Sequence, residues 1–153
     1  MVTTTAMDDI DVLAKARRSL SQDYTPDDSE TYMGEKQLEY FRDLLNAWKK
    51  TILDAAEGTL QQLQSGPIRE SDLNDRASSE TDWGIELRTR DRQRKLISKI
   101  DSALRRIEAG EYGYCEVTGE PIGLGRLIAR PIATMTVDAQ EAHERREKIS
   151  RDS

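Results

Sequence analysis

The sequence predicts a mainly α protein: a long antiparallel coiled-coil hairpin with an acidic tip, a small knuckle of the zinc-finger kind, and a C-terminal helix. Three observations carry this. Two long stretches with helical spacing, about 35–64 and 78–108, are separated by a short acidic turn, Ser71-Asp72-Leu73-Asn74-Asp75-Arg76-Ala77. Two helices joined by so short a link fold back on each other. A glycine-punctuated segment then follows the second stretch, Glu111 to Gly123.

Composition agrees. Of 153 residues, 36% are hydrophobic, 34% charged and 5% aromatic. That is thin for a thick globular core and suits long solvated helices. The length predicts one domain, or a domain with an extension. The net charge of −6 argues against a protein that binds nucleic acid by neutralising phosphates, although its basic residues are clustered. No direct sequence-specific DNA binding is expected. The residues from Met1 to Asp11 are polar and acidic, unlike a signal peptide. No apolar run approaches the roughly 20 residues of a membrane span. The single cysteine, Cys115, excludes an internal disulfide. The chain reads as a soluble, cytoplasmic, monomeric protein.

Residues 1–34 form a lead-in. Ile10, Leu13, Ala16, Arg17 and Leu20 predict a short amphipathic helix from Asp8 or Asp9 to Ser21. Tyr24 to Glu30 then reads as a loop. A mobile tail and a docked helix are equally open readings of this segment.

The hairpin spans 35–109. In its first helix Leu38, Phe41, Leu45, Trp48 and Ile52 recur with 3-4-3-4 spacing, the coiled-coil period. Ala55 continues the seam and Leu63 resumes it near the tip. Ser65-Gly66-Pro67 ends the helix, because proline cannot continue it. Ser78 or Ser79 is the expected cap of the return helix, with Glu80 to Asp82 favouring its positive end. Ile97, Ile100, Leu104 and Ile107 form the return seam, which Trp83 and Leu87 extend towards the tip. Arg90 and Arg94 fall near that seam. They make either a solvated face laced with ion pairs to Glu86 and Asp91 or a basic ledge for an anionic partner. A helix of about 30 residues is roughly 45 Å long. A rod of that reach with Asp72 and Asp75 at its tip suggests a probe.

Gly110 suits a left-handed helix end. Residues 110–135 then read as a compact pair of turns with short strands, with Arg126 to Pro131 extended. Thr136 or Asp138 is expected to cap a charged helix, Ala139 to Ile149, within a C-terminal segment 136–153.

Several of these residues, taken in order, resemble the DksA family. They are Tyr32-Met33, Gln37-Leu38, Phe41-Arg42, Asp72, Asp75-Arg76-Ala77 and Glu86 to Arg92, then Arg94 to Ile97. In the knuckle they are Tyr112-Gly113-Tyr114-Cys115-Glu116, Gly119, Ile122-Gly123, Arg126-Leu127, Ala129-Arg130-Pro131 and Val137-Asp138. The resemblance covers about 30–149. It implies a non-enzymatic regulator that binds bacterial RNA polymerase in its secondary channel. With guanosine tetraphosphate (ppGpp), such a protein alters open-complex stability in the stringent response, repressing ribosomal RNA promoters and activating others.

The resemblance also implies site residues. Asp72, Asp75 and Ala77 map onto the tip effector positions and Arg92 onto a polymerase contact. Lys95, Lys99 and Arg130 map onto ppGpp-binding positions. A further family lysine is Gln140 here, which removes one positive charge. The family's four zinc cysteines correspond to Cys115, Thr118, Thr136 and Ala139. One thiolate cannot close a tetrahedral site, so the expectation is a degenerate knuckle without zinc or any permanently bound cofactor. Tyr112, Tyr114, Ile122, Leu124, Leu127 and Ile128 would then hold it by packing. Cys115 reads as a residual knuckle residue, or as a redox sensor. Two other classes compete: a transcript-cleavage factor with a similar coiled coil, and a structural coiled-coil adaptor.

Overall fold

The computed structural model describes the backbone of residues 5–20, 23–65 and 73–152 and the side chains of 11–20, 23–57 and 81–151. The order is α1 (Thr5–Arg18), α2 (Glu35–Ser65), α3 (Leu73–Ala109), α4 (Leu124–Ala129) and α5 (Val137–Asp152). No strand occurs among the described residues. A single antiparallel bridge joins Tyr114 and Pro121. The architecture is therefore mainly α around a helical hairpin. The chain divides into two compact units: Met1–Ser21 with Asn46–Lys99, and Gln22–Leu45 with Ile100–Ser153.

In the first unit, α1 lies against the second half of α2. Leu13 and Ala16 are buried. Asp11, Val12 and Lys15 share a hollow of about 330 Å³ with Thr51, Asp54 and Ala55. The docked reading of the N-terminal helix is thus the observed one. The helix ends three residues before Ser21, where the Ser19 hydroxyl donates to the Ala16 carbonyl at 2.7 Å and competes with the next turn. Trp48 and Ile52 are buried, as their spacing predicts, whereas Ala55 is exposed. Trp83 and Leu87 do not continue a buried stripe: they are 37% and 47% exposed. Asp82, Gly84, Glu86 and Arg88 surround them in sequence, so this stretch offers no continuous apolar face.

The second unit carries the larger core. Phe41, Leu44 and Leu45 of α2 and Ile100, Ala103 and Ile107 of α3 are buried, while Leu38 and Leu104 are half-buried. Arg42 Nη2 lies 3.4 Å from Glu108 Oε1, so the start of α2 runs beside the end of α3. α3 stops at Gly110, whose φ of 76° is the left-handed conformation glycine permits.

Three boundaries differ from the sequence reading. α3 begins at Leu73, so Ser78 and Ser79 lie inside it rather than capping it. No breaker stands between Leu73 and Ser79, and Asp75 in the first turn favours the positive helix end. The segment expected to be extended before Pro131 is instead α4, because Leu124 and Leu127 at i, i+3 bury one helical face. Finally, α5 starts at Val137, two residues before the expected start at Ala139. Thr136 caps it: the Ala139 N–H donates to Thr136 Oγ1 at 3.1 Å.

Candidate functional site

The knuckle, residues 110–135, is built from two turns and α4. The Cys115 N–H donates to the Glu120 carbonyl and the Ile122 N–H to the Gly113 carbonyl, both at 2.8 Å, while the Gly119 N–H returns to the Cys115 carbonyl at 2.9 Å. Tyr112, Ile122, Leu124 and Leu127 are buried, and Tyr114 and Ile128 are half-buried. The Tyr112 hydroxyl donates to the Pro131 carbonyl at 2.8 Å, and its ring lies 5.5 Å from that of Phe41. Burial pushes the Tyr112 phenol far above its ordinary value.

Of the four positions matched to family cysteines, Thr118 and Thr136 meet the Cys115 sulfur. Burial pushes the Cys115 thiol up, but the Thr118 hydroxyl and the backbone N–H groups of Thr136, Thr118 and Val117 donate to it. The net result is a thiol brought down to about 6. Thr136 in turn receives the Ala139 N–H. The backbone nest is the kind that stabilises a metal-bound thiolate. The side chains, however, are one thiol, two hydroxyls and a methyl. They do not make a four-sulfur set. Among the described residues no group of three or more His, Cys, Asp or Glu could hold a metal ion.

The basic residues of α3 from Arg88 to Lys99 lie in the first unit. Lys95 Nζ sits 3.1 Å from Asp91 Oδ2, and Arg94 pairs with the same carboxylate. Lys95, with Arg94, holds the Asp91 carboxyl below its usual range. Ion pairing along a solvated face therefore accounts for Arg94. Arg92 is half-buried and Lys99 exposed, one turn beyond Lys95. Arg130, in the second unit, is exposed just past α4. Gln140 donates to Glu144 Oε1 at 3.1 Å within α5. Asp72 lies outside the described residues. Asp75 and Ala77 fall in the first turns of α3, with side chains outside what is described.

The sequence reading missed a strap, Tyr24–Gly34, whose side chains and backbone make several of the second unit's hydrogen bonds. Buried Gln37 accepts the Met33 N–H at 2.9 Å and donates to the Asp27 carbonyl at 3.1 Å. Glu30 Oε1 accepts the Tyr24 hydroxyl at 2.7 Å and the Asp27 N–H at 3.0 Å. The Tyr32 hydroxyl donates to the Gly113 carbonyl at 2.6 Å and accepts the Gly123 N–H at 2.9 Å. The available signal was Met33-Gly34 just before the start of α2; the long-range partners leave no local trace.

A helical hairpin, an acidic first turn in its return helix and a compact knuckle of turns define a class of coiled-coil proteins with a zinc-finger-like appendage. Residues 37–107 match the family "DnaK suppressor protein DksA, N-terminal domain", and residues 110–145 match "Prokaryotic dksA/traR C4-type zinc finger". The RNA polymerase-binding transcription factor DksA of Caulobacter vibrioides is 63% identical over 130 residues, covering 85% of this chain and 92% of that protein. The protein of the same name from Escherichia coli K12 is 42% identical over 125 residues, covering 82% and 83%. The solved structure of transcription factor DksA2 from Pseudomonas aeruginosa superposes with a TM-score of 0.71 at 44% identity, covering 81% of this chain and 94% of that one. This chain belongs to the DksA family.

The family match corrects one expectation. Residues 110–145 belong to a C4-type zinc-finger family, so the metal-free reading does not stand as a property of this unit. It rested on counting thiolates at Cys115, Thr118, Thr136 and Ala139, and ligand counting does not define the family. Of the four cysteines that the family name implies, this chain supplies Cys115 alone at those positions.

Proposed function

We propose that this chain is a transcription regulator that binds bacterial RNA polymerase in its secondary channel. The observation that supports it best is the 63% identity to a protein named as an RNA polymerase-binding transcription factor, across 85% of this chain. The hairpin supplies the binding element and its tip the effector. Asp72 and Asp75 bring negative charge to the tip, with Ala77 beside them, and Arg92 contacts the polymerase. The protein performs no catalysis of its own. It acts in the cytoplasm as a monomer and makes no sequence-specific contact with DNA.

The effector in this reading is ppGpp. Lys95 and Lys99, one turn apart on α3, are its cationic partners there, and Arg130 carries the same expectation. A polyphosphate favours several cations, because charge-assisted hydrogen bonds are the strong ones. Gln140 removes one such charge and weakens the nucleotide response without abolishing it. Regulation then works through open-complex stability, repressing ribosomal RNA promoters and activating others in the stringent response.

A binding titration tests this reading: labelled full-length protein against purified bacterial RNA polymerase, followed by fluorescence anisotropy. Saturable binding that is displaced by another secondary-channel protein supports it. Absence of binding at micromolar polymerase contradicts it. In an in vitro transcription assay with the same polymerase, Lys99→Ala is expected to weaken the response to ppGpp more than the basal effect.

A further inference from the structure

The knuckle has few contacts of its own with which to stay closed. Its turns are joined by one β-bridge and a handful of backbone hydrogen bonds. Its helix has six residues. An isolated two-stranded pairing is marginal in water. Yet Ile122, Leu124, Leu127 and Cys115 are all buried, so something outside the turns completes the enclosure.

The strap does so at a point some 80 residues earlier in the chain. The Tyr32 hydroxyl is hydrogen-bonded to both turns at once, donating to the Gly113 carbonyl and accepting the Gly123 N–H. These residues lie at the same end of the β-bridge, one on each of its two arms. The Gly113 carbonyl also receives the Ile122 N–H, so the phenol joins the network that closes the loop. The Tyr32 ring meets the Tyr114 ring edge-on at 5.7 Å. Next to it, Met33 is held at φ 52°, a conformation uncommon for a residue with a side chain. Its Sδ and Cγ fill the space over Gly113, where a Cβ would stand 2.5 Å from Met33 Cγ. Gly113 itself has φ 93°. The strained Met33 backbone is secured by Gln37, which accepts its N–H. Strain of this kind persists only where surrounding contacts over-determine it.

We infer that residues 24–34 are a clasp that holds the knuckle closed, with Tyr32 as its latch. Opening of the knuckle is then governed from the N-terminal strap and not only from the knuckle's own turns. The inference stands apart from the polymerase reading and does not depend on it.

Cys115 makes the test direct, because it is the only cysteine and is buried in the closed knuckle. The full-length protein is labelled under native conditions with an aromatic disulfide reagent, and the rate is divided by that of the same protein in denaturant. Amide exchange at Ile122 and Gly123 is followed alongside, with Ile52 in the hairpin as reference. Tyr32→Phe keeps the ring and deletes both hydroxyl bonds, so labelling and exchange in the knuckle are expected to rise about tenfold while Ile52 is unchanged. Met33→Ala, which empties the space over Gly113, is expected to give a smaller rise in the same amides. Unchanged knuckle rates in Tyr32→Phe would overturn the inference. So would an equal acceleration at Ile52, which would mean that the protein simply opens as a whole.

Discussion

The Arg106 guanidinium donates to the Tyr114 carbonyl at 2.7 Å, tying the last turn of α3 to the first turn of the knuckle. The same group reaches the Glu111 carbonyl at 3.1 Å, and the Glu111 and Tyr112 N–H groups both return to the Arg106 carbonyl. Its side chain is only 17% exposed. Hydrogen bonds from charged donors contribute about 1.5–3 kcal/mol each. Arg106→Met preserves the stem and removes the donors, so it is expected to lower stability by about 2 kcal/mol in urea unfolding. A loss below about 0.5 kcal/mol would show that the tie is ornamental.

Tyr112 makes the stability of the second unit pH-dependent on the alkaline side. Burial raises this phenol, and burial likewise raises Tyr32. A raised phenol favours its neutral form in the folded state. That stabilisation is fully present below the unfolded value of about 10 and is lost as pH rises above it, because only the unfolded chain ionises readily. The urea midpoint is expected to fall as the pH rises above about 10. Tyr112→Phe should flatten that fall, at a cost of about 1 kcal/mol at pH 7 for leaving the Pro131 carbonyl unpaired.

Glu30 gives the opposite sign at acid pH. The Tyr24 hydroxyl, together with the Asp27 N–H and the Gln37 amide, holds its carboxyl below the ordinary 4.5. The strap contacts it makes are present above that value and are lost as pH falls through the lowered one. Amide exchange at Asp27 is expected to speed up relative to the knuckle's Ile122 once the pH falls through that lowered value. In Glu30→Gln the same ratio should no longer change with pH.

At the tip, Asp75→Asn is expected to leave polymerase binding within about twofold of the parent while removing the effect on transcription. The reason is that Asp75 acts in the proposed account as an effector charge and not as an anchor. Parallel loss of binding and effect would make the first turn of α3 a docking element instead.

Much of the hairpin was legible because it is written in a period. Phe41, Leu45, Trp48 and Ile52, and Ile100 with Ile107, are buried where 3-4 spacing places them, and Ser65 ends α2 just before Gly66-Pro67. What escaped was non-periodic or non-local. Gln37 is a polar residue at 1% exposure, and its burial makes sense only once the strap supplies Met33 and Asp27 as partners. α4 is six residues long, too short to show a helical repeat. The knuckle's metal was judged from four side chains, whereas the family is recognised across 110–145. The resemblance that led to the tip was carried by motif order, and Asp72 itself is outside the described residues.

The most direct test of the central claim is in vitro transcription from a ribosomal RNA promoter with purified bacterial polymerase, with and without this protein and ppGpp. The account predicts inhibition by the protein alone that deepens when ppGpp is added. Transcript levels that do not change at saturating protein, in either condition, would contradict it.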